Sequence, residues 1–194
     1  MFDEYLLNTL GVSPSSIEEY RKYIKPLKVE KGQFLLREGE VCRNTFFVEK
    51  GLLRLYSISK AGKEHIIRFA PENHLIADRS SLFFGESSDY FIDAIEDSEI
   101  ISLSSDFYEY MSQNNPETGA KQILLLHNHA RQLQKRVNLL LGANAEERYL
   151  DFIKVYPNVF RRVPQWMVAS FLGITPESLS RVRKEIANKE RKND

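Results

Sequence analysis

The chain has 194 residues, 42% apolar and 28% charged, the profile of a soluble globular protein long enough for one large domain or two unequal ones. No apolar run approaches the roughly 18 residues that cross a bilayer, and the acidic start MFDEYLLNTLG is too short in apolar length for a secretion signal, so a cytoplasmic protein without a membrane partner is expected. The 27 basic and 27 acidic residues cancel, which excludes a uniformly basic polyanion binder, and the lone Cys42 excludes an internal disulfide and cannot by itself hold an iron–sulfur cluster or structural zinc.

Near the start, SPSSIEEYRKYIKP has a Ser-Pro opening, an apolar stripe of Ile17, Tyr20 and Ile24, and a stop at Pro26, which predicts a short leading helix. From Val29 to about Leu103 the pattern changes to short β-branched and aromatic runs, among them QFLLREGE, TFFVEKGLLRLYSIS and YFIDAIEDSEIISLS. Gly32, Gly39, Gly51, Gly62 and Gly85 punctuate these runs. So many short strands need closure or a second sheet to protect their edges, which predicts an antiparallel β-roll of the jelly-roll kind.

After NNPETG, the residues Ile123, Leu126, Ala130, Leu133, Val137 and Leu140 recur at alternating spacings of three and four, the seam of a two-helix coiled coil. The rest of that helix is polar, so pairing with a second copy is the economical explanation, against packing of the seam on the chain's own barrel. Gly142 ends it, and Asn144 with Glu147 predicts a capping box opening the next helix. The expected fold class is therefore α+β. Residues 1–115 form a β-roll with its leading helix, 116–142 a dimerisation helix, and 143–194 a C-terminal helical domain.

Beyond Phe160, eight basic residues face four acidic ones, and local field rather than total charge steers a polyanion. In QWMVASFLGITPESLSRVRK, Ala169 is small where a second helix would cross the first, Gly173 permits a left-handed turn, and Val168, Leu172, Ile174, Leu179 and Val182 supply a shared core. This is the steric pattern of a helix-turn-helix. Thr175 is placed to cap the second helix and Pro176 suits its first turn. Glu177, Ser178, Arg181, Lys184 and Glu185 are left outward. A carboxylate accepts from cytosine N4 and a guanidinium donates to O6 and N7 of guanine, so Glu177 and Arg181, four apart, suit base-edge reading in a major groove; a plain surface ion pair between them is the competing explanation.

The order of β-roll, long helix, short helices and helix-turn-helix resembles the Crp/Fnr family of bacterial transcription regulators over nearly the whole chain, with GITPESLSRVRK its most specific piece. The resemblance implies a homodimer that binds double-stranded DNA and contacts RNA polymerase, has no catalytic residues, and reads bases from the positions of Glu177 and Arg181. Pro176 stands where the family often has a base-reading arginine, so a different target preference follows. The expected DNA-binding set is Gln165, Thr175, Glu177, Ser178, Arg181, Arg183 and Lys184, with Arg161 and Arg162 also on phosphates. Only ten residues follow Lys184, too few for the family's usual β-hairpin wing.

Cyclic-nucleotide members of the family clamp phosphate with a Gly-Glu pair and an Arg followed by Ser or Thr about ten residues on. The corresponding places here are Ala77-Asp78 and Ser88-Asp89. The clamping guanidinium is missing and Asp89 stands beside its place; substitution by Arg79 from another direction is the disfavoured alternative. The implied cassette is degenerate, and no response to cyclic AMP is expected, which leaves any small-molecule effector unidentified. No metal or cofactor is expected: His65 and His74 are widely spaced, and His127 and His129 diverge around a helix. The competing functions are a cupin-like metal-dependent enzyme and a signalling module that no longer binds DNA.

Overall fold

The computed structural model describes residues 1–114 and 116–193. Among them, eight strands form two four-stranded antiparallel sheets. The first has the order β1 (Ile24–Val29), β8 (Ser98–Ser104), β3 (Asn44–Lys50), β6 (Leu75–Ile76). The second has the order β2 (Phe34–Leu36), β7 (Phe91–Ala94), β4 (Leu53–Ile58), β5 (Glu64–Ala70). The mixed helix and antiparallel-sheet class expected from sequence is the class observed.

Both sheets are covered on both faces, which explains why their strands read as apolar runs rather than as alternation. Between the sheets, Val29, Phe46, Val48, Leu53, Leu55, Ile92 and Ile100 make one core. Phe47, Ile101 and Leu103 point the other way, off the first sheet, against Phe2, Leu6, Leu10, Phe107 and Met111. Helix α1 (Phe2–Glu4) runs into π-helical turns at Tyr5–Leu10, and its buried Phe2, Leu6 and Leu10 fall four apart on one face. Helix α4 (Ser105–Asn114) follows β8 directly and contributes Phe107 and Met111.

The leading helix is shorter than expected. Helix α2 covers only Ile17–Tyr20, flanked by 3-10 turns, and Pro26, expected to stop a helix, instead lies within β1. The strand is at the edge of its sheet, where proline's missing N–H costs no ladder bond. Helix α3 (Arg79–Phe84) interrupts the strand region between β6 and β7. Gly51, at the β3–β4 turn, has φ +104°, and a Cβ there would lie 2.7 Å from Ser98 Cα, so only glycine fits.

The second sheet carries a buried charge. Arg54 on β4 donates to both carboxylate oxygens of Asp93, its cross-strand neighbour on β7, at 2.7 and 2.9 Å, and to Glu64 on β5. Its guanidinium also lies 4.0 Å from the Tyr56 ring centroid. Burial opposes the charged form, and the two carboxylates more than offset that and raise the Arg54 pKa.

Four further helices follow: α5 (Pro116–Gly142), α6 (Ala145–Val155), α7 (Gln165–Leu172) and α8 (Pro176–Asn193). Helices α6 and α7 pack on the outer face of the second sheet and α8 packs on them, so that Leu52, Tyr56, Ile66 and Phe69 belong to one core with Phe152, Tyr156, Val168, Leu172 and Leu179. No helix among the described residues is long and apolar enough to cross a membrane.

Removing one member of a buried ion pair strands the other, at a cost of about 3–5 kcal/mol. Asp93→Ala is therefore expected to lower the unfolding free energy by about that amount in a denaturant titration, with Asp93→Asn losing less because it still accepts a hydrogen bond.

Candidate nucleic-acid interface

The C-terminal helices are assembled by caps and by two arginines. Asn144 accepts from Glu147 N–H at 3.0 Å and Glu147 accepts from Asn144 N–H at 2.8 Å, the reciprocal cap expected from sequence. Arg148 on α6 donates to the carbonyls of Leu140 and Ala143 at the end of α5 and to Leu172 at the end of α7, at 3.0, 3.0 and 3.1 Å. Arg136 on α5 lies 3.6 Å from the Phe171 ring centroid and donates to the carbonyls of Ile66, Ile67 and Phe171. Carbonyls that a helix end or a sheet edge leaves unpaired are thus satisfied by side chains of a neighbouring element.

Helix α7 turns into α8 at Gly173, which has φ +67°. Ile174 N–H donates to Ala169 O at 3.0 Å and Gly173 N–H to Ser170 O at 3.1 Å, the pair of bonds that closes a helix through a left-handed residue. Val168, Ala169, Leu172, Leu179 and Val182 are buried between the helices, with Ile174 and Ile186 partly so. Thr175 Oγ1 accepts from Ser178 N–H at 3.2 Å, capping α8 as its position suggests.

With that side of α8 buried, Pro176, Glu177, Ser180, Arg181 and Lys184 line one shallow open face. All five are exposed. Arg181 has no ion-pair partner among the described residues, so the competing surface pair with Glu177 is not formed. Hydrogen bonds from its own N–H and from Thr175 hold the Glu177 carboxyl below its ordinary range, so it presents an acceptor only. Gln165 is exposed at the start of α7.

Not every residue expected here is on this face. Ser178 is half-buried beside Thr175, and Arg183 turns back over Phe160, 4.5 Å from its ring centroid. Arg161 is exposed, whereas Arg162, expected on phosphate, is half-buried and forks onto Glu72 and Glu96. Ser180 was missing from the expected set. Its place three residues after Glu177 and four before Lys184 is the signal that identifies it.

Residues of the expected ligand cassette bond to one another. Asp78 accepts from Ser80 N–H and Ser81 N–H at 3.0 and 3.3 Å, and Ser88 Oγ donates to its other oxygen at 2.7 Å. Asp78 and Ser88 are both buried, while Asp89 is exposed. The carboxylate at this place is therefore that of Asp78, not Asp89 as expected. Arg79 stands outside, 5.2 Å from the Phe83 ring centroid, and Ala77 is half-buried against the core between the sheets.

Among the described residues, no group of three or more His, Cys, Asp and Glu side chains is placed to hold a metal ion. His74 Nδ1 lies 2.9 Å from Glu72 O, and His65 and His127 are exposed. Cys42 is buried, its thiol 3.3 Å from Asn44 O, and burial raises its pKa.

Residues 26–115 match the cyclic nucleotide-binding domain family. Over 180 residues, 86% of this chain and 71% of the relative, the sequence is 28% identical to the transcriptional activator protein Anr of Pseudomonas aeruginosa. It is 25% identical over 185 residues, 88% of this chain and 72% of the relative, to the fumarate and nitrate reduction regulatory protein of Vibrio cholerae. The fold is similar to that of FixK2 from Bradyrhizobium japonicum, with a TM-score of 0.74, 18% identity and 86% of each chain covered. Along most of its length the chain is thus similar to transcription regulators of the Crp/Fnr type. These relatives are named as transcription regulators, which favours that class over the cupin-like enzyme considered above.

At the turn between α7 and α8 any substitution at Gly173 is strained, and a Cβ would meet Leu140 at 3.4 Å. Gly173→Ala is expected to destabilise the protein by about 1–2 kcal/mol, read as a shift of the chemical-unfolding midpoint. An unchanged midpoint would contradict the account of this turn.

Proposed function

We propose that two copies pair through the seam of α5 and present their α8 helices to successive major grooves of a partly palindromic DNA site. What carries the proposal is the free face of Glu177, Ser180, Arg181 and Lys184 on a helix whose opposite side is locked into a core. Arg181 is the chemical match to a guanine edge and Glu177 to a cytosine amino group, with Ser180 on the same face. Lys184 on this face, with the exposed Gln165, Thr175 and Arg161, suits phosphates, which set register rather than sequence. Ser178 and Arg183 support the cap and the packing of α8 beside it.

The pairing is supported by the two-sided character of α5. Thr118, Gln122, Leu125, His129, Arg136 and Leu139 are buried or half-buried, whereas Ile123, Leu126, Ala130, Leu133, Val137 and Leu140 are exposed. The seam is thus not consumed by the chain's own barrel, the competing explanation. An apolar stripe of this length left in water favours a second copy. On this reading the chain divides into residues 1–115, 116–142 and 143–194, and it works in the cytoplasm beside RNA polymerase, as the family does.

The closed Asp78–Ser88 pair supports a chain that does not respond to cyclic AMP. A phosphate in that place would displace a satisfied buried hydrogen bond and meet a carboxylate with no guanidinium to offset it.

Three outcomes follow. In fluorescence anisotropy on duplexes selected from random DNA, Arg181→Ala is expected to weaken binding by about 1–3 kcal/mol and to relax preference at one position per half-site; a uniform loss across sequences would contradict base reading. Leu133→Glu with Val137→Glu is expected to give a monomer in sedimentation analysis, and a persistent dimer would place the interface elsewhere. Millimolar cyclic AMP is expected to leave the melting temperature unchanged, and a clear rise would overturn the reading of the cassette.

A further inference from the structure

Strand β5 is the edge of its sheet, and its outward N–H and C=O groups need partners once a helix covers them. Helix α7 supplies one. Ser170 Oγ accepts from Ile66 N–H at 3.0 Å and donates to Glu64 O at 2.9 Å, taking the place of a missing neighbouring strand. Arg136 takes the Ile66 and Ile67 carbonyls at 3.2 and 2.7 Å. Apolar contact alone would let α7 slide along the sheet, but these directional bonds fix it at one place.

The other end of the joint is ionic. The β3–β4, β5–β6 and β7–β8 turns meet at one end of the roll and bring Gly51, Glu72 and Glu96 together around Arg162. Its Nη1 and Nη2 donate to the two oxygens of Glu72, both at 2.9 Å, while Nη2 and Nε donate to Glu96 at 2.6 and 3.3 Å. Burial pushes the Glu72 carboxyl up, and Arg162 together with Gly51 N–H outweighs it and holds the group below its ordinary range. Arg162 lies just before α7, so this fork sets where the helix pair begins. Two carboxylates with two bidentate contacts hold orientation as well as distance.

We propose that Arg162, Glu72, Glu96 and Ser170 are positioning residues that fix the separation of the two recognition helices in the free protein, before any ligand is bound. The inference rests on the dimeric DNA-reading function proposed above. None of the four lies on the exposed face of α8. Their effect therefore falls on simultaneous engagement of two half-sites and not on contact with one. A duplex with a single half-site needs only α8, whereas a double site is held tightly only when linker geometry lets both helices seat together.

The test uses the full-length dimer and duplexes that the wild-type protein selects from random DNA, presented as single half-sites and as inverted pairs with spacing varied in one-base-pair steps. Wild-type protein is expected to show one sharp spacing optimum. Glu72→Gln with Glu96→Gln is expected to weaken the optimal double site at least about tenfold, broaden the spacing profile, and leave single half-site binding within about twofold. Arg162→Lys, which keeps charge but loses the fork, is expected to fall between the two. Ser170→Ala, read in the same assay, stands in if the double variant fails to fold, and is expected to broaden the profile likewise. Unchanged double-site affinity and spacing in the variants would overturn the proposal. So would an equal loss on single and double sites, which would make Arg162 a phosphate contact. A wild-type protein that ignores every duplex overturns the underlying function and the joint with it, and needs no variant to be recognised.

Discussion

The architecture depends on one constraint, the outer edge of β5. A buried edge strand carries polar backbone groups that must be paired, and here they are paired by Ser170 and Arg136. The surrounding apolar core, in which Phe69 meets Phe152, Tyr156 and Phe171 at centroid distances of 5.5–6.2 Å, makes the association favourable without choosing a position. The hydrogen bonds choose it. Helix α7, and α8 packed on it, are therefore built onto the outer layer of the roll and are not carried on a tether.

This arrangement ties the three parts of the chain to each other. Arg136 binds α5 to both β5 and α7, and Arg148 binds the end of α5 to the end of α7. In the proposed dimer, a change in how two α5 helices pair is transmitted through these carbonyl bonds to the base of α8. The cassette between β6 and β7, by contrast, is satisfied internally by Ser88 and two backbone N–H groups. An input at that place would have to break existing bonds before making its own. The structure favours a regulator whose reading geometry is set by its own packing.

Much of the fold was legible from the sequence, and the reasons are local. Gly142, Asn144, Glu147, Gly173 and Thr175 act through backbone geometry within a few residues, so their roles were readable and the caps and turn are where they point. The alternating spacing on α5 located a stripe that remains exposed. What escaped depended on distant partners. Pro26 reads as a helix stop until β8 is known to lie beside it. Phe2, Leu6 and Leu10 read as a short acidic leader until Phe47 and Phe107 provide a surface for them. Arg162 reads as a cation for phosphate until Glu72 and Glu96, distant in sequence, close around it. Asp89 reads as a buried neighbour of the cassette until the turn places it outside. Ser180 was within reach of sequence reasoning, since helical spacing alone puts it beside Glu177 and Lys184.

The central claim is that the two recognition helices are held at a fixed separation by the roll itself. The most direct measurement is the distance between spin labels at Asn188→Cys, exposed near the end of α8, in a Cys42→Ala background, with and without bound duplex. The account predicts a single narrow distribution at roughly one DNA turn, about 30–45 Å with the label linkers, unchanged when DNA is added. A broad distribution in the free protein, or one that moves onto a new distance only when DNA binds, would contradict it.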